Sequence, residues 1–338
     1  MKYKSSSLLL LFSLCTACGN GKIHSGTQTD ILSDTITTFV LPAIPPMLNT
    51  PELRADYLVR HYWDHVNFAD TNYIHHPEIT EQAWVDYIDI LKIVPAKKAD
   101  TALKEVFVQA EKEKKFYLYM TDLANKYLYD PNSPMRNEEL YISVLDAMLA
   151  SPILNNTEKI RPQARRELAQ KNRVGTKALN FRYTLVSGKE DSLYGVNALY
   201  TLLFINNPGC HACTETIETL KQASAINQAI AQKQLQILAI YPDIDLEEWH
   251  KHLSNFPKEW INGYDKKQVI ETQHLYDLKA IPTLYLLDKN KVVILKDATV
   301  MEIDDFLTRQ QLKQNPFMMG EKNKPCLATR LIHNTNTK

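Results

Sequence analysis

Two periods divide the chain. From Pro51 to Asn172 apolar residues recur at helical spacing: Leu53, Tyr57, Leu58 and Tyr62; then Trp84, Tyr87, Ile88 and Leu91; then Leu103, Phe107, Ala110, Tyr117, Met120, Leu123 and Ala124; then Leu140, Val144, Leu145 and Met148. That spacing gathers each set into one stripe of a helix. The punctuation agrees. Thr50-Pro51-Glu52 supplies a capping hydroxyl, a proline where a missing N–H costs nothing, and an acid at the positive end of the dipole. "DPNSP" at 130–134 is a break, and Asn137-Glu138-Glu139 caps the helix after it. Thr80 is expected to open the second helix, the charged "EKEKK" at 111–115 to form a solvated helix face where two helices meet, and a basic helix to run from about Thr157 to Asn172. Residues 51–172 are therefore predicted to form an all-helical domain.

After Val174-Gly175 the period changes. "ALNFRYTLV" and "ALYTLLFI" read as strands, "CTETIETLKQASAINQAIAQ" as a helix, and "LQILAIY" as a short buried strand stopped by Pro242. "DLEEWHKHL" and "KKQVIETQHLYDL" read as helices, "PTLYLLD" and "KVVILKD" as strands about a Lys289-Asn290 turn, and "EIDDFLTRQQLKQ" as a closing helix. This order predicts an α/β unit over residues 174–315, a mixed sheet with helices on both faces, with a polar tail at 316–338.

Length and charge narrow the classes. At 338 residues the chain exceeds what one core usually supports, which favours two domains. Lysine plus arginine equals aspartate plus glutamate, 39 each, so no net field draws the protein to nucleic acid.

The first residues, "MKYKSSSLLLLFSLCTACGN", carry Lys2 and Lys4, an apolar run from Leu8 to Leu14, and Thr16-Ala17-Cys18. The run is too short for a membrane span, which needs ~20 residues. Residues 1–18 resemble a bacterial lipoprotein signal; an ordinary secretory signal with a free Cys18 is the alternative. The resemblance implies cleavage before Cys18, a lipid on its sulfur, and a cell-envelope, periplasm-facing location. Residues 19–50, polar and then proline-bearing, would form the tether to the membrane. Cys15 would leave with the signal, so the mature folded part keeps only Cys210, Cys213 and Cys326 of the five cysteines. Three are too few for a disulfide scaffold.

"FINNPGCHAC" places Cys210 where a strand has turned into a helix. Unpaired N–H groups at a helix start favour thiolate over thiol, which makes Cys210 the attacking sulfur and Cys213, one turn further in, the resolving one. His211 between them could, when protonated, stabilise that thiolate and raise the reduction potential. Zinc is a second reading of two such cysteines, but no matching second pair of ligands accompanies them. A buried structural disulfide is a third. Further on, Ile281-Pro282-Thr283 precedes a strand, and its proline suggests a cis bond that sets a loop beside the sulfurs.

Strand, Cys-x-x-Cys helix start and Ile-Pro-Thr strand together resemble the thioredoxin family. The long stretch between Cys210 and Pro282 is similar to that of the exported, membrane-anchored thiol-disulfide oxidoreductases of the TlpA type, and "VGTKALNFRYTLVSGKEDSLYG" resembles their opening hairpin. The helical segment resembles, through "RADYLVRHYWDHVNFAD" and "KYLYDPNSPMRNEELY", an uncharacterised domain that precedes thioredoxin-like domains in some bacterial lipoproteins. The resemblance implies a thioredoxin-like fold over residues 174–315. It implies thiol-disulfide exchange with protein thiols and disulfides as partners, an electron donor or acceptor outside this chain, and no cofactor or metal. It also implies that Ile281, Pro282 and Thr283 position the partner strand.

Three positions depart from the family pattern: Gly209 stands where tryptophan is usual, Ala212 where proline is frequent, and no acid occurs in Leu199 to Ile205. Glu215 or water is then left to take the Cys213 proton. Two other functions stay open. A thiol peroxidase of the peroxiredoxin class would need threonine where Asn207 stands. A partner-binding lipoprotein would use the Tyr- and His-rich helical region, where His61 with His65, or His75 with His76, could form half a metal site. Cys326 reads as a lone thiol in the tail.

Overall fold

The computed structural model describes residues 38–314. The signal segment with Cys15 and Cys18, the first part of the tether, and the tail with Cys326 lie outside the described residues. No helix among the described residues is long and apolar enough to cross a membrane.

Six helices make up the first region: α1 (Pro51–His61), α2 (Pro77–Ile93), α3 (Ala96–Ala110), α4 (Lys114–Ala124), α5 (Glu138–Ala150) and α6 (Asn156–Ala169). Two of their starts, α1 and α5, are set by the side chains that the sequence suggests, while α6 starts at Asn156 behind an Asn155 cap rather than at Thr157 and ends at Ala169 rather than Asn172. Thr50 accepts from the Leu53 N–H at 3.3 Å and Asn137 from that of Leu140 at 3.0 Å, while Asn155 and Glu158 cap each other reciprocally. Helix α2 begins at Pro77 rather than at Thr80. Proline fits the first turn there, and the Thr80 hydroxyl is spent inside the fold, donating to the Tyr73 carbonyl at 2.7 Å. The "EKEKK" stretch is a break rather than a helix face: α3 ends at Ala110 and Glu113 caps α4 by accepting from the Lys115 N–H at 3.0 Å. Residues Asn125–Tyr129 continue α4 as a single π turn. The aromatic stripes meet in one core, where Trp84, Tyr87, Phe116 and Tyr117 are fully buried beside Trp63, Phe68 and Phe107.

The second region holds one seven-stranded sheet: β1 (Arg182–Leu185), β2 (Glu190–Ser192), β3 (Tyr200–Ile205), β4 (Leu235–Tyr241), β5 (Ile261–Tyr264), β6 (Thr283–Asp288) and β7 (Val293–Lys296). Their spatial order is β2-β1-β5-β4-β3-β6-β7. The pairs β3/β4 and β4/β5 are parallel, and the remaining neighbours are antiparallel. Side chains alternate as a period of two requires. Leu202, Phe204, Ile237, Leu284 and Leu286 point to one face, against α7 (His211–Gln222), α8 (Ser224–Ala231) and α11 (Val300–Gln314). Leu203, Ile205, Leu238, Ile240, Tyr285 and Leu287 point to the other, against Ile270 of α10 (Val269–Thr272) and the rings of Phe181, Tyr183 and Tyr276. The remaining helix, α9 (Leu246–His252), follows β4. This is the mixed sheet that the pattern predicts.

Local readings differ from the structure in three places. Strands β2 and β5 are too short to show a pattern. In β5, Gly263 leaves room for the Tyr183 ring, which a Cβ there would meet at 2.7 Å. "KKQVIETQHLYDL" is helical only over α10, because Gln268 and His274 turn left-handed at φ 51° and 47° and bound it at one turn. The stretch "CTETIETLKQASAINQAIAQ" bends at Ala223, which separates α7 from α8.

Candidate functional site: a dithiol at a helix start

The antiparallel pairing of β3 with β6 sets Ile205 beside Thr283. The residues just after β3 and just before β6 therefore meet at one end of the sheet, and these are the cysteine turn and the Ile281-Pro282 loop. After β3, the buried Asn206 fixes the chain by donating to the Phe204 and Ile240 carbonyls, each at 3.3 Å. Gly209 then takes φ 76°, a left-handed conformation that suits glycine, and the Glu248 carboxylate of α9 lies 3.5 Å from where a Cβ would stand. The positive φ disfavours any side chain at 209, tryptophan included, whereas the Glu248 contact is ordinary van der Waals distance.

Cys210 is the N-cap of α7, and its sulfur accepts from the Cys213 N–H at 3.4 Å. It is partly exposed, whereas Cys213 is only 3% exposed; both are free thiols. Cys210 Sγ–H also donates to the Ile281 carbonyl at 3.7 Å, and the Ile281–Pro282 bond is cis. Thr283 closes this loop by donating its hydroxyl to the Ala280 carbonyl at 3.1 Å. Burial pushes the Cys213 thiol up to about 12, against the pull of the Asn207 N–H that donates to its sulfur at 3.4 Å; the Cys210 sulfur adds to the rise. At neutral pH Cys213 is thus a protonated reserve behind an accessible partner.

His211 points outward, its side chain 89% exposed, with Nε2 3.1 Å from the Glu215 carboxylate one turn on. That carboxylate lies on the exposed side of α7, while Cys213 faces inward. In the helical region His61 pairs with Asp64 at 2.8 Å and His76 with Glu78 at 3.0 Å. No cluster of three or more His, Cys, Asp or Glu side chains suited to a metal occurs among the described residues. The Asn207 N–H and the Glu248 carboxylate were not legible as site groups, because backbone direction and the packing of α9 leave no residue-type signal.

Residues 17–172 match a domain of unknown function, DUF5106, and residues 198–293 match a thioredoxin-like family. No curated protein matches the chain. Among solved structures it is similar to a thioredoxin-like protein from Bacteroides caccae, at 66% identity over 82% of this chain and 100% of that one, with a TM-score of 0.80. It is also similar to the C-terminal domain of an uncharacterized protein from Bacteroides fragilis, at 62% identity over 40% of this chain and 98% of that one, with a TM-score of 0.40. A domain of a possible thiol-disulfide isomerase from Cytophaga hutchinsonii is similar at 29% identity, over 44% of this chain and 99% of that one, with a TM-score of 0.37.

Proposed function

The chain belongs to the thioredoxin-like proteins, and from that premise we propose that it is a thiol-disulfide oxidoreductase, tethered in the cell envelope by a lipid on Cys18. The observation that carries the reading is the pairing of an accessible Cys210 at a helix start with a buried, protonated Cys213 one turn behind it.

Cys210, as thiolate, attacks one sulfur of a partner disulfide. A Cys210–partner bond forms, the partner's S–S bond breaks, and the released partner sulfur takes a proton. Cys213 then gives up its proton and attacks the Cys210 sulfur, which frees the second partner thiol and leaves a Cys210–Cys213 disulfide. Two electrons have passed from the dithiol to the partner, and an external dithiol protein must return them. Burial of Cys213 suits the second step, because its sulfur stays a neutral thiol until the mixed disulfide forms beside it.

Ile281, Pro282 and Thr283 lie where a partner strand would rest against Cys210. His211 is held outward near Glu215 with its side chain 89% exposed, so its effect on the Cys210 thiolate is screened by solvent and small. The test is reduction of insulin or a peptide disulfide by the reduced protein and by Cys210→Ser. The wild type is expected to be faster by at least ~10³-fold, since serine offers no thiolate at this pH; equal rates would refute the proposal.

A further inference from the structure

The loop that reaches Cys210 is held from the helical region. The chain between α10 and β6 begins with the carbonyls of Gln273 and His274, which accept from Lys171 Nζ at 3.3 and 2.7 Å, and that of Leu275, which accepts from Asn172 Nδ2 at 2.8 Å. Near its other end, two residues before Ile281, stands Lys279, whose side chain is only 11% exposed. Lys279 Nζ lies 2.8 Å from Asp277, 3.1 Å from Asp297 and 3.8 Å from Glu138 Oε1, and 5.3 Å from the centre of the Tyr129 ring. Asp277 and Asp297 belong to the sheet region. Glu138, the first residue of α5, and Tyr129 belong to the helical one.

An ammonium this deep is costly to bury unless carboxylates surround it. Burial draws the Lys279 pKa down, but Asp297 and Asp277, with Glu138 behind them, more than offset it and hold the group charged. The other Glu138 oxygen meets Lys296 Nζ of β7 at 2.5 Å, and Lys296 also donates to the Lys171 carbonyl at 2.8 Å. One carboxylate of the helical region thus faces two buried ammonium groups of the sheet region. A cavity of about 360 Å³ adjoins Tyr129, Glu138, Lys279 and Asp297, so space is available for the loop to shift when that carboxylate is removed.

We infer that Glu138 is a positioning residue: acting on Lys279 and Lys296, it lets the helical region hold the Ile281–Pro282 loop in place against Cys210 for a partner polypeptide. The kinetic part of this inference rests on the oxidoreductase reading above; the structural part does not. Glu138→Gln leaves Lys279 paired with Asp277 and Asp297, while Lys296 loses its carboxylate partner and keeps the Ala169 and Lys171 carbonyls and the side-chain oxygen of the glutamine. The variant is expected to fold.

The experiment uses the full chain and reads hydrogen exchange and kinetics together. In Glu138→Gln, backbone exchange over residues 277–285 is expected to quicken by about tenfold. The kcat/KM for a peptide disulfide should fall by about fivefold, with alkylation of Cys210 by iodoacetamide unchanged. Unchanged exchange over this loop would overturn the inference. So would equal losses toward peptide and iodoacetamide, which would place the effect on the sulfur rather than on the loop. If the wild type proves no faster than Cys210→Ser, the oxidoreductase reading fails and the exchange measurement still decides this one. Should Glu138→Gln not fold, Glu138→Asp, which keeps the charge and withdraws the carboxylate from both lysines by one methylene, is read by the same measurements and the same outcomes.

Discussion

Cys213→Ser is expected to turn the protein into a trap that stays covalently bound to its partners. In the wild type the resolving sulfur sits one helical turn behind Cys210, whose own sulfur already accepts the Cys213 N–H at 3.4 Å. A group held that close acts at an effective concentration far above any thiol in solution, with effective molarities of ~10⁵ M or more for well-oriented pairs. Without it, a mixed disulfide at Cys210 must wait for an external thiol, and its lifetime should lengthen by at least ~10³-fold on the same grounds. Serine is a small polar substitute whose oxygen can still accept from the Asn207 N–H that donates to the Cys213 sulfur, so the fold should tolerate the change. The measurement is capture from intact cells, followed by gels with and without reductant. Adducts that collapse on reduction and vanish in the Cys210→Ser/Cys213→Ser double variant are expected. Adducts equally abundant in the double variant would mean that Cys210 is not the attacking group.

Trp84→Ala is expected to cost ~3–5 kcal/mol, as truncation of a large buried aromatic usually does. Trp84 lies on α2 with no exposed surface, its ring 6.3 Å from that of Phe107, 6.4 Å from Tyr87 and 6.5 Å from Trp63. Its indole N–H has no hydrogen-bond partner, so truncation strands no polar group and the loss is that of packing and the cavity left behind. Equilibrium denaturation followed by circular dichroism gives the number. A loss below ~1 kcal/mol would show that the aromatic core does not carry the helical region.

Much of the site was legible in the sequence because its signals are local. Cys210 at the end of an apolar run and ahead of a helical period is a statement about a few adjacent residues, and so is Ile281-Pro282-Thr283 before a strand. Leu202 to Ile205 and Leu284 to Leu287 are short apolar runs, which is again a local signal for a strand buried on both faces. What escaped depends on distant residues. Strand β5 is four residues long and contains Gly263, whose place is dictated by the Tyr183 ring of β1, its neighbour in the sheet with three strands between them in sequence. The left-handed turns at Gln268 and His274 that confine α10 occur at residues that do not advertise them. The Thr80 hydroxyl looked like a helix start because nothing nearby revealed that Tyr73 would claim it. The Glu138–Lys296 pair joins residues from the two regions, and neither residue type nor spacing hints at it.

The proposed chemistry requires Cys210 and Cys213 to form one reversible redox couple. The most direct test equilibrates the protein in glutathione buffers of stepped potential, quenches with an alkylating agent and weighs the peptide that contains both cysteines. The two thiols are expected to disappear together in a single transition of a two-electron couple, tenfold in ratio for each ~30 mV. Cys213 remaining alkylatable while Cys210 alone is lost as a glutathione adduct would contradict it.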